Sequence, residues 1–108
     1  EDRWGRARLY VDLAVARRRL RALPEALAGL DAALGLFPRY PRALFRRGLV
    51  LLELGRPSEA VQSFEHLLRL DRAWPRLCDW LARAHSQARR AERARGAAAG
   101  TSEDDAAE

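Results

Sequence analysis

All twenty cationic side chains of this 108-residue chain are arginines, and lysine does not occur. A guanidinium can hold a carboxylate through two parallel N–H bonds, which an ammonium cannot match. The chemistry most open to the chain is therefore the holding of acids. Part of the arginine excess has a plainer origin. Lys, Asn, Ile and Met, whose codons are A/T-rich, are all absent, as a GC-rich coding sequence would produce. Catalytic chemistry is thin. Cys78 and His85 stand seven residues apart and share a helix face, but two side chains are too few for a zinc site. Neither His66 nor His85 has an acid partner in an evident cleft. No Gly-rich phosphate loop and no nucleophile motif occurs. Glu59 and Glu65 read as ordinary charges on a solvent-leaning helix. The expectation is a binding protein rather than an enzyme, with no cofactor and no metal.

Elements that could position these arginines follow from the breakers. Ala, Leu and Arg dominate, and all three favour helix. Thr occurs once, and no strand-like alternation is sustained. Pro24 can open a helix, Pro38 and Pro41 bracket a link, Gly55 to Ser58 form another, and Pro75 sits near a third. The apolar spacing between these breakers predicts five helices, near 3–21, 24–36, 41–54, 57–70 and 74–94. The fold class is all-α. The last thirteen residues, 96–108, carry four acids and no base, which leaves 20 bases against 11 acids, about +9, for the rest. With no apolar periodicity to offset ordering entropy, 96–108 reads as a disordered acidic tail behind a domain at 1–95.

Other classes are excluded by what is missing. No apolar run nears the roughly 20 residues of a membrane span, so a membrane is not an expected partner. One cysteine cannot build an internal disulfide framework. No signal-peptide pattern opens the chain, and a cytoplasmic location is the expectation. A chain that begins on Glu1 reads as a fragment or a processed product.

The pieces repeat. Slid along itself, the chain lays Leu13-Ala14 on Arg47-Gly48 and then on Leu81-Ala82. The same slide sets Leu20 on Leu54, Ala26 on Ala60, Leu30 on Phe64, Ala33 on Leu67 and Leu36 on Leu70. The helix–turn–helix period this defines, about 34 residues, is the tetratricopeptide spacing. The stretch from Ala43 to Asp71 resembles a tetratricopeptide (TPR) repeat nearly throughout. Gly48 and Ala60 are small where two helices would cross, and Gly55 suits a left-handed turn. The first copy is looser, with Arg21 in place of the turn glycine and Arg17 where a large apolar residue is usual. The resemblance implies a right-handed solenoid with repeats at about 7–40 and 41–74 and a capping helix at about 74–94. In that helix Leu77, Trp80, Leu81 and Ala84 would pack while Arg83, Gln87 and Arg90 stay wet. Cys78 falls on a core position of the repeat and is expected to be buried.

TPR arrays are binding scaffolds whose first helices line a concave groove. By the repeat register, that groove would take Arg8, Val11, Asp12, Val15 and Arg19 from the first copy. The second would add Arg42, Phe45, Arg46, Leu49 and Glu53, and the cap Arg76, Asp79, Trp80 and Arg83. From these, the candidate ligand-binding residues are Arg8, Arg42, Phe45, Arg46, Leu49, Arg76, Trp80 and Arg83. Such a basic wall favours an acidic peptide or partner helix, with Phe45 and Trp80 as apolar anchors. The stretch RALFRRG also resembles the helix with which TPR co-chaperones grip the acidic C-termini of chaperones. There Arg42 and Arg46 would hold carboxylates, but Asp12 stands where that family has a donor Asn, and an ionised Asp repels a carboxylate. Two further uses are weighed: RNA binding, disfavoured by the acidic tail and the lack of repeated base-reading positions, and self-association through the end faces.

Overall fold

The computed structural model describes the backbone of residues 2–107 and the side chains of residues 2–97. It holds five helices: α1 (Arg3–Arg19), α2 (Leu23–Leu36), α3 (Pro41–Glu53), α4 (Pro57–Leu70) and α5 (Leu77–Ala107). Neighbours in sequence pack on one another, and α1 also touches α3. The result is an all-α helical-repeat solenoid.

Local chemistry sets the ends of these helices. Asp2 caps α1 by accepting a hydrogen bond from the Gly5 N–H at 2.7 Å. The next three helices have no side-chain cap and instead carry Pro24, Pro41 or Pro57 in their first two positions. Proline lacks the N–H that would be unpaired there and holds a helical φ in advance. The C-terminal turns of α1 and α3 are copies of one another. Arg21 and Gly55 both have left-handed backbone, at φ 64° and 75°. The following N–H groups reach back five residues, Ala22 to the Arg17 carbonyl at 2.8 Å and Arg56 to that of Leu51 at 2.9 Å. The sequence repeat thus extends to individual hydrogen bonds.

The core is one continuous cluster in which Phe64, Leu30, Leu51, Leu67 and Val50 are almost wholly buried. Gly48 faces the ring of Phe64 so closely that a Cβ would fall inside contact distance. Ala60 is fully buried, as a close helix crossing requires. Among the described residues, Ser63 is the one polar residue that is buried as a whole. Ser63, 3 % exposed, accepts from Arg47 Nη1 at 2.6 Å, while Arg47 Nε donates to Asp31 at 2.8 Å. That arginine ties α2, α3 and α4 together.

The last link departs from the expected boundary. Asp71 accepts from the Ala73 N–H at 2.9 Å, and Arg76 takes a left-handed φ of 59°. The helix therefore begins at Leu77, not at Trp74. Its packing residues Leu77 and Ala84 are buried, Trp80 and Leu81 are half-buried, and Arg83 and Arg90 are exposed; Gln87 is half-buried. Cys78 is exposed rather than buried. Its counterpart in the preceding repeat, Leu44, is covered beside Ser63 and His66 of α4. Among the described residues no helix follows α5 to cover Cys78 in the same way. The backbone of α5 runs through Gly96 without a break to Ala107. The acidic side chains of the expected tail at 96–108 lie outside the described residues. No helix among the described residues is long and apolar enough to cross a membrane.

Candidate functional site

Arg42 and Arg46 lie one turn apart on α3, so both side chains rise from one face. Arg42 is exposed and Arg46 is half-buried. Burial pushes the Arg46 guanidinium below the ordinary arginine range, and the charges of Arg42, Arg18 and Arg19 push it further the same way. Its Nε is buried and has no hydrogen-bond partner. Three arginines of α1 and α3 thus surround a fourth whose guanidinium, among the described residues, has no ion-pair partner. A group in this state is stabilised by any anion that reaches it.

Glu53, on the same side of α3, shows what the cluster does with a carboxylate. Arg18 Nε donates to Glu53 Oε1, and Arg21 Nη1 donates to Glu53 Oε2 at 2.9 Å. One arginine of α1 and one of the turn that follows it hold one acid of α3. Arg18 was not among the residues expected in the groove. It falls on the repeat position of Leu52, just off the row assigned to the concave face, but its long side chain reaches across to Glu53. An acid at position 53 with bases at 18 and 21 was the signal available in the sequence.

Beside the arginines lies an aromatic floor. The Phe45 ring centroid is 5.5 Å from that of Trp74, 6.1 Å from Phe64 and 6.3 Å from Trp80. Arg83 places its guanidinium carbon 4.9 Å from the Trp80 ring centroid, a cation–π contact. Phe45, Trp80 and Arg83 therefore come together, and Trp74 joins them.

Three candidates stand differently. Leu49 is only 6 % exposed: it packs into the core instead of lining a surface. Arg76 precedes α5, in the left-handed turn, and its exposed side chain makes only a loose 3.8 Å pair with Asp79. Arg8 is exposed on α1, two turns or more from Arg18 and Arg19, and is not among the charges that act on Arg46. Asp12 is exposed on α1 and, among the described residues, forms no ion pair with the arginines around it.

Residues 41–74 match the family model of the tetratricopeptide repeat. The first TPR of Spaghetti (RPAP3), solved bound to the HSP90 peptide SRMEEVD, superposes with a TM-score of 0.71 at 25% identity. That match covers 74% of this chain and 64% of the other, so the chain spans just under two thirds of that relative. The TPR2B domain of yeast Sti1, in a pHsp70 complex, gives a TM-score of 0.70 at 22% identity, over 76% of this chain and 70% of that one. The UNC-45 chaperone, described for binding and folding muscle myosin, gives 0.79 at 26% identity, over 92% of this chain but 11% of that one. No curated protein matches the chain in sequence. The segment 41–74 is a tetratricopeptide repeat, and the fold is that of TPR domains.

Proposed function

We propose that this chain, which carries a tetratricopeptide repeat and the fold of TPR domains, is an interaction scaffold whose arginine cluster binds acidic peptide segments of a partner protein. The observation that carries the reading is Arg46: a partly buried guanidinium with a buried, unpartnered Nε, surrounded by three like charges. A carboxylate placed between Arg42 and Arg46 would supply the missing counter-charge and relieve the repulsion. The capture of Glu53 by Arg18 and Arg21 is the same chemistry performed inside the chain. Phe45, Trp74 and Trp80 supply apolar surface for side chains flanking the acid.

A narrower reading is a clamp for the terminal carboxylate of chaperone tails. It is favoured by the four-residue spacing of Arg42 and Arg46 and by the peptide held in the Spaghetti structure. It is opposed by Asp12, which offers no donor to a terminal carboxylate. Fluorescence anisotropy with labelled SRMEEVD, as free acid and as C-terminal amide, separates the readings. Binding that falls at least about tenfold in Arg46→Ala, and falls with rising salt, supports the acidic-peptide site. Additional loss on amidation supports the clamp. Affinity indifferent to Arg46→Ala overturns both.

A further inference from the structure

The arginine cluster divides into an occupied half and an open half. Glu53 occupies the first. Each of its carboxylate oxygens takes one guanidinium, Oε1 that of Arg18 and Oε2 that of Arg21 at 2.9 Å. The open half is Arg19, at the end of α1, with Arg42 and Arg46 of α3. Among the described residues none of these three has an ion pair or a side-chain hydrogen bond. Arg19 and Arg42 are exposed, and Arg46 is half-buried with its Nε enclosed. The charges that act on Arg46 are all positive, so Glu53 does not compensate it.

Charge and acceptor number decide what fits the open half. An ionised carboxylate brings one charge and two oxygens, and Glu53 meets one arginine with each. Against three guanidinium groups a carboxylate is short of charge and leaves one group without an oxygen of its own. A phosphomonoester brings a charge of about −1.5 to −2 at pH 7 and three acceptor oxygens. Arginine forks match phosphate oxygens in pairs, as they do carboxylates. The neighbouring surface of Phe45, Trp74 and Trp80 favours a peptide as the carrier. Side chains flanking the phosphate gain apolar contact there that a free phosphate ion does not.

Resting on the acidic-peptide reading, we infer that the open half selects a phosphorylated side chain of the partner segment over a carboxylate in the same place. Arg42 and Arg46 meet the phosphate from α3, and Arg19 meets it from α1. Glu53 keeps Arg18 and Arg21 engaged, so the selectivity rests on the other three arginines.

Fluorescence anisotropy on the full chain compares labelled SRMEEVD with the same peptide carrying phosphoserine in place of each glutamate in turn. One phosphoserine peptide is expected to bind at least about tenfold more tightly than SRMEEVD at pH 7. The preference should fade toward pH 5, where most of the free phosphate takes up its second proton (pKa about 6) while glutamate stays mostly ionised. Arg19→Ala should cut the preference to about threefold or less, whereas Arg93→Ala, an equal loss of charge on α5, should leave it unchanged. Inorganic phosphate should displace the phosphopeptide only at concentrations at least about a hundredfold above the peptide's own Kd. Phosphoserine peptides no tighter than SRMEEVD overturn this inference and leave the acidic-peptide reading standing. So does a preference that survives both Arg19→Ala and pH 5, or displacement by inorganic phosphate at the peptide's own Kd. No binding of any of the peptides at about 1 mM overturns both.

Discussion

Arg21 and Gly55 hold the same place in successive repeats and close the two helix–turn–helix units with the same left-handed backbone, at φ 64° and 75°. Only glycine adopts that conformation without cost. A Cβ at Gly55 would meet nothing within 4 Å, so Gly55→Ala isolates the backbone term. It should lower stability by about 1 kcal/mol in urea unfolding. Arg21→Gly should raise stability by less than that. The exposed Arg21–Glu53 pair is lost, and a new glycine adds freedom to the unfolded chain.

Gly48 and Phe64 set the crossing of α3 on α4. Gly48→Ala should cost about 1–3 kcal/mol, since the ring must leave its position or the helices must part. Phe64→Leu should by itself cost stability, yet recover part of the loss in the double variant. Urea midpoints for the four members of this cycle give the coupling, and strict additivity would refute the close approach.

Arg47 should behave as a half-buried connector rather than a free surface charge. Arg47→Ala leaves the Ser63 hydroxyl, 3 % exposed, without its donor, and should cost about 1–3 kcal/mol. Ser63→Ala added to that variant should recover stability, because the stranded hydroxyl is then gone. Thermal melts of the single and double variants test this.

Arg46 should trade stability for binding. Its folded-state pKa is lowered by burial and by Arg42, Arg18 and Arg19, so the charged form is the disfavoured one in the fold. That cost is present at every pH below the lowered pKa and fades only as pH rises through it. At pH 7 it is felt in full. Arg46→Gln should therefore raise the urea midpoint at pH 7, by an amount that shrinks as salt screens the cluster, while it weakens SRMEEVD. A lower midpoint in Arg46→Gln would mean that the guanidinium is held by contacts outweighing the repulsion.

Much of this architecture is legible because it is written in punctuation. Pro24, Pro41 and Pro57 mark three helix starts, and the repeat period alone aligns Arg21 with Gly55, whose dihedrals then agree. Legibility fails where a position's surroundings differ between copies. Cys78 occupies the place of the buried Leu44, but burial depends on α4, and α5 has no such neighbour among the described residues. Leu49 belongs to the groove row by register, yet a shallow apolar side chain there sinks into the core while its longer arginine neighbours reach out. Arg18 escapes notice for the converse reason, since its reach exceeds what its helical position suggests. The left-handed turn at Arg76 has no sequence mark, as arginine rarely adopts it.

Cys78 has a practical consequence. It is the chain's one cysteine, it is exposed, and it lies two residues from Trp80. A single dye attached there would report on Trp80 with no competing site. Under oxidising conditions the same thiol can join two chains in a covalent pair. Joined through the first turn of α5, the two molecules would keep both arginine clusters free. Such a pair would present two arginine clusters at once, with the gain in avidity that linkage brings. Loss of a doubled band in Cys78→Ser on a non-reducing gel would trace that pair to this thiol.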